Sequence, residues 1–168
     1  MEGREIRAMG RFLMAAFSML ALCAPLAAQD RLAAALDQYQ HETDPVRKAR
    51  ALAKFGAQQI DLARKQLKSG DDVGSLHTLE QYRDEVRETV EALKATGIDA
   101  ERKPSGFKEL QISLRETVRH TDDLIFTLPV DKRPFFREAR TDLVTAQNDL
   151  IDALFPRKPD EKSKKPKP

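Results

Sequence analysis

The sequence predicts an all-α protein: an antiparallel bundle of four long helices, preceded by a signal peptide and a short helix and followed by a disordered tail. Three observations support this class. Apolar residues recur in steps of three and four over most of the chain. Alternating apolar and polar runs, which are typical of strands, are absent. Helix-favouring residues dominate the composition, chiefly Ala, Leu, Glu, Lys, Arg and Gln.

Capping residues and helix breakers give the helix boundaries. Asp44-Pro45 is an N-cap followed by proline at the first helical position, and Gly97 is a typical residue just past a helix end. Gly56 lies in a stripe of small residues, which predicts a close approach by a neighbouring helix. We expect five helices, over about residues 31–41, 45–69, 72–96, 107–128 and 131–155.

Short connections after the second and fourth predicted helices indicate two antiparallel hairpins. Opposite charge favours the first hairpin, because the helix over 45–69 has a net charge of +6 and the helix over 72–96 a net charge of −3. We expect the hairpins to pack together with coiled-coil-like contacts. The alternative is an extended array of two hairpins, which would leave more apolar surface for a partner.

Residues 1–28 have the three parts of a secretory signal peptide. Three arginines precede the predominantly apolar run Phe12–Cys23, and small residues lead to a polar start at Gln29. Twelve residues of helix rise about 18 Å against about 30 Å of hydrocarbon, so this run is too short for an anchor. We therefore expect cleavage after Ala28, export to the periplasm or the medium, and no transmembrane helix in the mature chain.

Two details of this leader stay open. Translation starts at Met1 or at Met9, since Met9 still leaves a short basic region before the apolar run. Lipidation of Cys23 is disfavoured, because Leu22 stands where a lipoprotein signal needs a small residue. The resulting division is a signal peptide over 1–28, a helical domain over 29–156 and a Lys/Pro-rich tail over 157–168.

The mature chain lacks most reactive side chains. The single Cys and all four Met lie in the leader, and the chain has no Trp. Thiolate nucleophiles, Cys-ligated zinc, iron–sulfur clusters and Met-ligated haem or copper are therefore excluded from residues 29–168. No nucleophile elbow or glycine-rich phosphate loop is present. We predict no catalytic residue, no cofactor and no metal site.

Glu116 and His120 are the weak exception. They are four residues apart, so a helix places them on one face, where they could form an acid–base pair. The alternative is an exposed Glu–His pair that contributes only a few tenths of a kcal/mol to stability.

Two sets of residues suit binding better. Phe126 and Phe155 lie off the apolar stripes of their helices, so they either plug the ends of the bundle or mark an apolar contact patch. Basic residues crowd the N-terminal half of the last helix, against its dipole, so either neighbouring helices compensate for their charge or they serve a partner: Lys132, Arg133, Arg137 and Arg140.

The charge of the chain is concentrated at its C-terminal end. Residues 29–156 have a net charge of −3, so they lack the excess of basic residues that is typical of nucleic-acid-binding domains. The tail over 157–168, in contrast, has six basic and two acidic residues. This tail is predicted to be a disordered cationic arm, either for solubility or for attraction to an anionic envelope component or an acidic protein. Its candidate contact residues include Lys162, Lys164, Lys165 and Lys167.

These observations predict an exported, non-catalytic helical protein that binds or scaffolds a partner in the cell envelope. The partner is expected to be a protein or an anionic envelope component, and the oligomeric state is left open. The alternative function is that of a chaperone-like or carrier protein with an apolar hairpin groove. An enzyme with a site that no motif reveals ranks third.

Overall fold

The computed structural model describes residues 24–157, and within that range all regular structure is helical. The predicted all-α class is confirmed. The five helices are α1 (Ala24–His41), α2 (Pro45–Lys68), α3 (Asp72–Ala95), α4 (Phe107–Thr127) and α5 (Arg133–Leu154). The predicted signal peptide lies almost wholly outside the described residues, and so does nearly all of the predicted tail.

The chain divides into two compact units, residues 1–34 and 35–168, and the boundary falls within α1. The described part of the first unit, residues 24–34, is helical throughout. The predicted start of this helix near residue 31 is therefore wrong. An alanine-rich segment extends the helix back to Ala24, and Pro25 is tolerated because the first turn needs no backbone N–H donor at that position.

The helix ends agree with the capping residues in the sequence. The Asp44 carboxylate accepts a hydrogen bond of 2.8 Å from the Arg47 backbone N–H, and Asp71 accepts one of 2.9 Å from Gly74. Gly97 follows α3 with a φ of +65°, a conformation that residues with a Cβ rarely adopt. These local signals explain why the four long helices begin and end within about two residues of the predicted positions.

Each long helix makes extensive contacts with two others: α2 with α3 and α4, and α5 with α3 and α4. The contacts give their directions. Lys48 Nζ lies 2.8 Å from Glu88 Oε1, near the start of α2 and the end of α3, so these two helices are antiparallel. Ser113 Oγ donates to the Ala53 carbonyl at 3.0 Å, in the first half of both α4 and α2, so those two run in the same direction.

Helices α3 and α5 also run in the same direction. Arg83 meets Asp142 at 3.8 Å, and Lys94 meets Asp149 at 3.0 Å further along both helices. The two hairpins, α2–α3 and α4–α5, therefore lie side by side with matching orientation. The connection over 96–106 joins α3 to α4, two helices that do not pack extensively against each other. Ala100 is buried within this connection.

The interior of the 35–157 segment is filled by the predicted apolar stripes. The largest fully buried side chains come from all four long helices and include Phe55, Tyr82, Phe107 and Phe136. Gly56 lies against the ring of Tyr82, where an added Cβ would overlap the hydroxyl oxygen, so the predicted close approach at Gly56 is present. The hydroxyl of Tyr82 reaches α4, 3.4 Å from Thr117 Oγ1, and burial raises the pKa of Tyr82 to about 12.

Candidate interaction surface

Four of the six large apolar side chains that are exposed in the described part of the chain lie at one end of the 35–157 segment. This end carries the α2–α3 and α4–α5 turns. The four side chains are exposed by 59–83 %, and an exposed cluster of large apolar residues often marks an interaction site. We call them the tip surface: Val73, Phe126, Val130 and Phe135.

Helix geometry explains why these residues face outward. Phe136 is buried on the core face of α5, and adjacent helical residues point about 100° apart, so Phe135 is turned away from the core. Phe126 likewise follows the buried Leu124 and Ile125 in the last turn of α4. Val130 lies in the α4–α5 turn directly after Pro129.

Lys132 joins the starts of α3 and α5, because its ammonium group is paired with the Asp72 carboxylate. This contact places Val73, the next residue of α3, at the same end of the molecule as the α4–α5 turn. The tip surface therefore draws on both hairpins, although three of its four residues come from a ten-residue stretch.

Three arginines flank Phe126 in a shallow groove of about 350 Å³. Arg133 donates from Nε to the Leu128 carbonyl at 2.9 Å and from Nη2 to the Phe126 carbonyl at 3.3 Å. These bonds satisfy carbonyl groups at the C-terminus of α4, as cationic side chains commonly do.

The other two arginines differ in their partners. Arg140 makes two hydrogen bonds to the Asp122 carboxylate, at 2.9 and 3.0 Å, which raise the pKa of its guanidinium above the ordinary value. Arg137 is exposed and has no acidic partner among the described residues. It is the guanidinium most accessible to an anionic ligand at this end.

The first turn of α5 contains no acidic residue, and no side chain caps its N-terminus. The basic crowding that opposes the dipole of α5 is thus partly balanced from neighbouring helices, by Asp72 at Lys132 and by Asp122 at Arg140. Arg137 is left without such compensation within the described part of the chain.

Phe126 and Phe155 do not plug the ends of the structure. Their side chains are 83 % and 72 % exposed, so that alternative is wrong and both residues face solvent. The physical reason is that Leu128 and Leu154 already fill the buried positions beside them. The two phenylalanines are also at opposite ends of α4–α5, so they do not form one patch.

Glu116 and His120 are both exposed, and no hydrogen bond or ion pair joins them. His41 has a carboxylate neighbour, Asp37 at 3.2 Å, on the exposed side of α1. Within residues 24–157, no three His, Cys, Asp or Glu side chains are arranged to hold a metal ion. The candidates Lys162, Lys164, Lys165 and Lys167 lie outside the described residues.

A separate cluster of side chains, centred on Tyr39, surrounds the end of α1. The Tyr39 side chain is buried, with its hydroxyl 3.0 Å from Thr89 Oγ1 and its ring edge-on to Phe55. Lys48 Nζ lies 4.8 Å above the same ring. This cluster fixes the last turn of α1 to the α2–α3 hairpin.

Glu85 is the unusual member of this neighbourhood. Its Oε1 accepts a hydrogen bond of 3.2 Å from Gln81, whereas Oε2 is buried without a partner. Burial raises the pKa of Glu85 above its ordinary value, and the nearby Glu88 adds to the effect. No sequence pattern distinguishes Glu85 from the exposed carboxylates of α3.

Sequence reasoning found Phe126 and the basic residues of α5 but missed Val73, Val130 and Phe135. The pair Phe135-Phe136 was an available clue, since two adjacent phenylalanines on a helix cannot both face one core. No comparable clue pointed to Val73 or Val130, because an isolated valine near a turn is common on protein surfaces.

No helix within residues 24–157 is both long enough and apolar enough to cross a membrane. Comparisons with protein-family models, with curated proteins and with solved structures give no match to this chain.

Proposed function

We propose that this chain is an exported, non-catalytic helical protein that binds a partner in the cell envelope through the tip surface. The observation that carries the proposal is the gathering of Val73, Phe126, Val130 and Phe135 at one end, with Arg137 beside them. Scattered apolar residues are ordinary on a protein surface, but a cluster rimmed by basic side chains is typical of an interaction site.

The proposal includes a rigid support for this surface. We infer that residues 35–157 form a closed four-helix bundle, which is supported by the ring of contacts among α2, α3, α5 and α4 and by the core they share. A closed bundle presents the tip as a fixed platform. The exposed large apolar residues do not follow the α2–α3 hairpin, where a carrier groove would need them.

Export is the second part of the proposal and is supported by the sequence of residues 1–28, with cleavage after Ala28. The cationic residues of 157–168, including Lys162 and Lys167, would add electrostatic attraction to the same envelope. An intact-mass measurement on protein recovered from its host tests the leader directly. A mass that corresponds to residues 29–168 is expected, and a retained leader would contradict export by cleavage.

The binding role is tested by removing the apolar side chains of the tip. The variant Phe126→Ser/Phe135→Ser is compared with the wild type for the fraction of protein that sediments with the envelope. Both side chains are exposed, so the melting temperature should stay within a few degrees while association falls.

The matched control is Phe155→Ser, which removes an equally exposed phenylalanine at the other end of α5. Association should be retained in this control. Equal association of the wild type and the tip variant would refute the proposed role of the tip surface.

A further inference from the structure

We propose that the partner of the tip surface is the surface of an anionic phospholipid bilayer. The inference rests on the proposed function, because it assumes that the tip is the contact site and then names what it contacts. Three features of the structure bear on the choice between a lipid surface and a protein: the shape of the tip, its apolar area and its charge.

Shape is the first feature. Phe126, Val130 and Phe135 flank the α4–α5 turn at the end of the segment, and all three are exposed there. Polar or charged side chains, Arg133 and Arg137 among them, make up five of the seven that line the shallow groove beside Phe126, so it is not a deep apolar pocket of the kind that holds a protein's anchoring side chain. A bilayer needs no complementary pocket, since apolar side chains on a tip enter between lipid molecules.

Area is the second feature. From their exposed fractions, the four side chains of the tip surface equal about three fully exposed large apolar residues, or roughly 500 Å². A stable protein–protein interface buries about 800 Å² on each partner. Only a little over half of such an interface is apolar, so the tip equals the apolar share of one partner's surface, and it is also large enough for reversible insertion into lipid.

Charge is the third feature. The segment 126–137 contains three basic residues and one acidic residue, Asp131. Lys132 and the neighbouring Asp72 are paired, so their charges offset each other, and Asp71 caps α3; the basic groups left in the segment are Arg133 and Arg137. Arg137 remains available for lipid phosphate within the described part of the chain.

The test uses the absence of tryptophan from the whole chain, which makes a single introduced tryptophan an unambiguous reporter. Phe126→Trp is placed at the tip and Phe155→Trp at the opposite end, each in the otherwise complete protein. The probes are phosphatidylglycerol-containing vesicles and pure phosphatidylcholine vesicles, both with brominated acyl chains that quench tryptophan on contact.

We expect quenching and a shift of emission to shorter wavelength for Phe126→Trp with the anionic vesicles only. Phe155→Trp should be unaffected. Adding Phe135→Ser and Val130→Ser to the tip reporter should weaken vesicle partitioning by about tenfold or more, because each removed side chain loses its transfer into lipid.

The reporters also separate the tip from the cationic residues of 157–168, which are expected to attract anionic vesicles by charge alone. Vesicle binding with an unquenched Phe126→Trp would overturn the inference, because charge would then hold the protein without insertion of the tip. Quenching of Phe155→Trp instead would overturn it as well.

The proposed function can survive that result. If Phe126→Trp is unquenched while Phe126→Ser/Phe135→Ser still lowers envelope association, the tip binds a protein and only the lipid inference fails. If the tip variant changes neither readout, both proposals fail.

Discussion

Gly56 offers the sharpest test of the packing between the two hairpins. It lies inside α2 against the fully buried Tyr82 of α3, and a Cβ at this position would overlap the Tyr82 hydroxyl and lie 3.0 Å from Cζ. Tyr82 cannot move aside easily, because its ring fills the centre of the core and its hydroxyl lies 3.4 Å from Thr117 Oγ1. The perturbation is Gly56→Ala.

Two opposing effects set the magnitude. Alanine is favoured over glycine inside a helix by about 1 kcal/mol. Overpacking a dense core costs about 1–3 kcal/mol. The overlap with Tyr82 involves a rigid ring, so we expect the second effect to dominate and the free energy of unfolding to fall by about 1 kcal/mol.

Tyr82→Phe identifies the cause. Alone, it removes a long hydrogen bond and should cost about 1 kcal/mol, while Thr117 keeps its 3.0 Å bond to the Ser113 carbonyl. Combined with Gly56→Ala, it also removes the atom that the new Cβ would overlap. The double variant should therefore be more stable than the sum of the single effects predicts, by about 1 kcal/mol.

The assay is urea unfolding followed by far-UV circular dichroism, since the helices give a strong signal. Ala57→Gly is the matched control: this neighbouring residue is exposed, so its change measures helix propensity alone, a loss of about 1 kcal/mol. Additive effects of the two core substitutions, or a Gly56→Ala variant more stable than the wild type, would refute the packing argument.

Three further predictions concern the α1 cluster and the C-terminal end. Because the pKa of Glu85 is raised in the folded state, stability falls as pH rises from the ordinary glutamate pKa to the raised value. Glu85→Gln should remove this step, so the variant should be more stable than the wild type at neutral pH and equally stable below about pH 4; thermal melts across that range check this, and a constant difference at all pH values would contradict it. Tyr39→Ala should cost about 2–4 kcal/mol and speed amide hydrogen exchange over 35–41, whereas unchanged exchange would show that Tyr39 does not hold α1. Deleting 158–168 should leave the melting temperature unchanged, because Leu154 is the last buried residue of the described range 24–157, and should reduce the salt-sensitive part of vesicle binding; a lower melting temperature would contradict this.

The helices were predictable because their signals are local. Asp44, Asp71 and Gly97 act within one turn of the chain, so the sequence contains both the residue and its partner. The stripe around Gly56 was readable for the same reason, since a period of 3.6 residues needs no knowledge of the neighbour.

The arrangement of the helices was less predictable. Two hairpins joined by a longer connection can place α3 beside α4 or diagonally from it, and the apolar stripes fit both arrangements. The pairs that distinguish them, such as Arg83–Asp142, join residues about sixty positions apart. Glu85 lies beside Tyr39 of α1 and Lys48 of α2, both distant in sequence, so its burial could not be predicted from the local sequence of α3.

The candidate site was predicted only in part for a related reason. The outward position of Phe126 followed from its place on α4, but the tip surface also needs Val73, which the packing of α3 against α5 brings to the same end, where Lys132 pairs with Asp72. Residues from two hairpins form one surface only after the hairpins have docked.

The side-by-side orientation of the hairpins also shapes how the chain folds. Contacts within each hairpin span short loops, whereas every contact of α2 with α4 or of α3 with α5 closes a loop of roughly sixty residues. Closing the longer loop costs more chain entropy, so the hairpins are expected to form first and to dock afterwards. The segment 96–106 is then the tether of a two-part assembly. Two separately expressed hairpins, cut within this tether, should find each other in solution and rebuild the shared core around Tyr82.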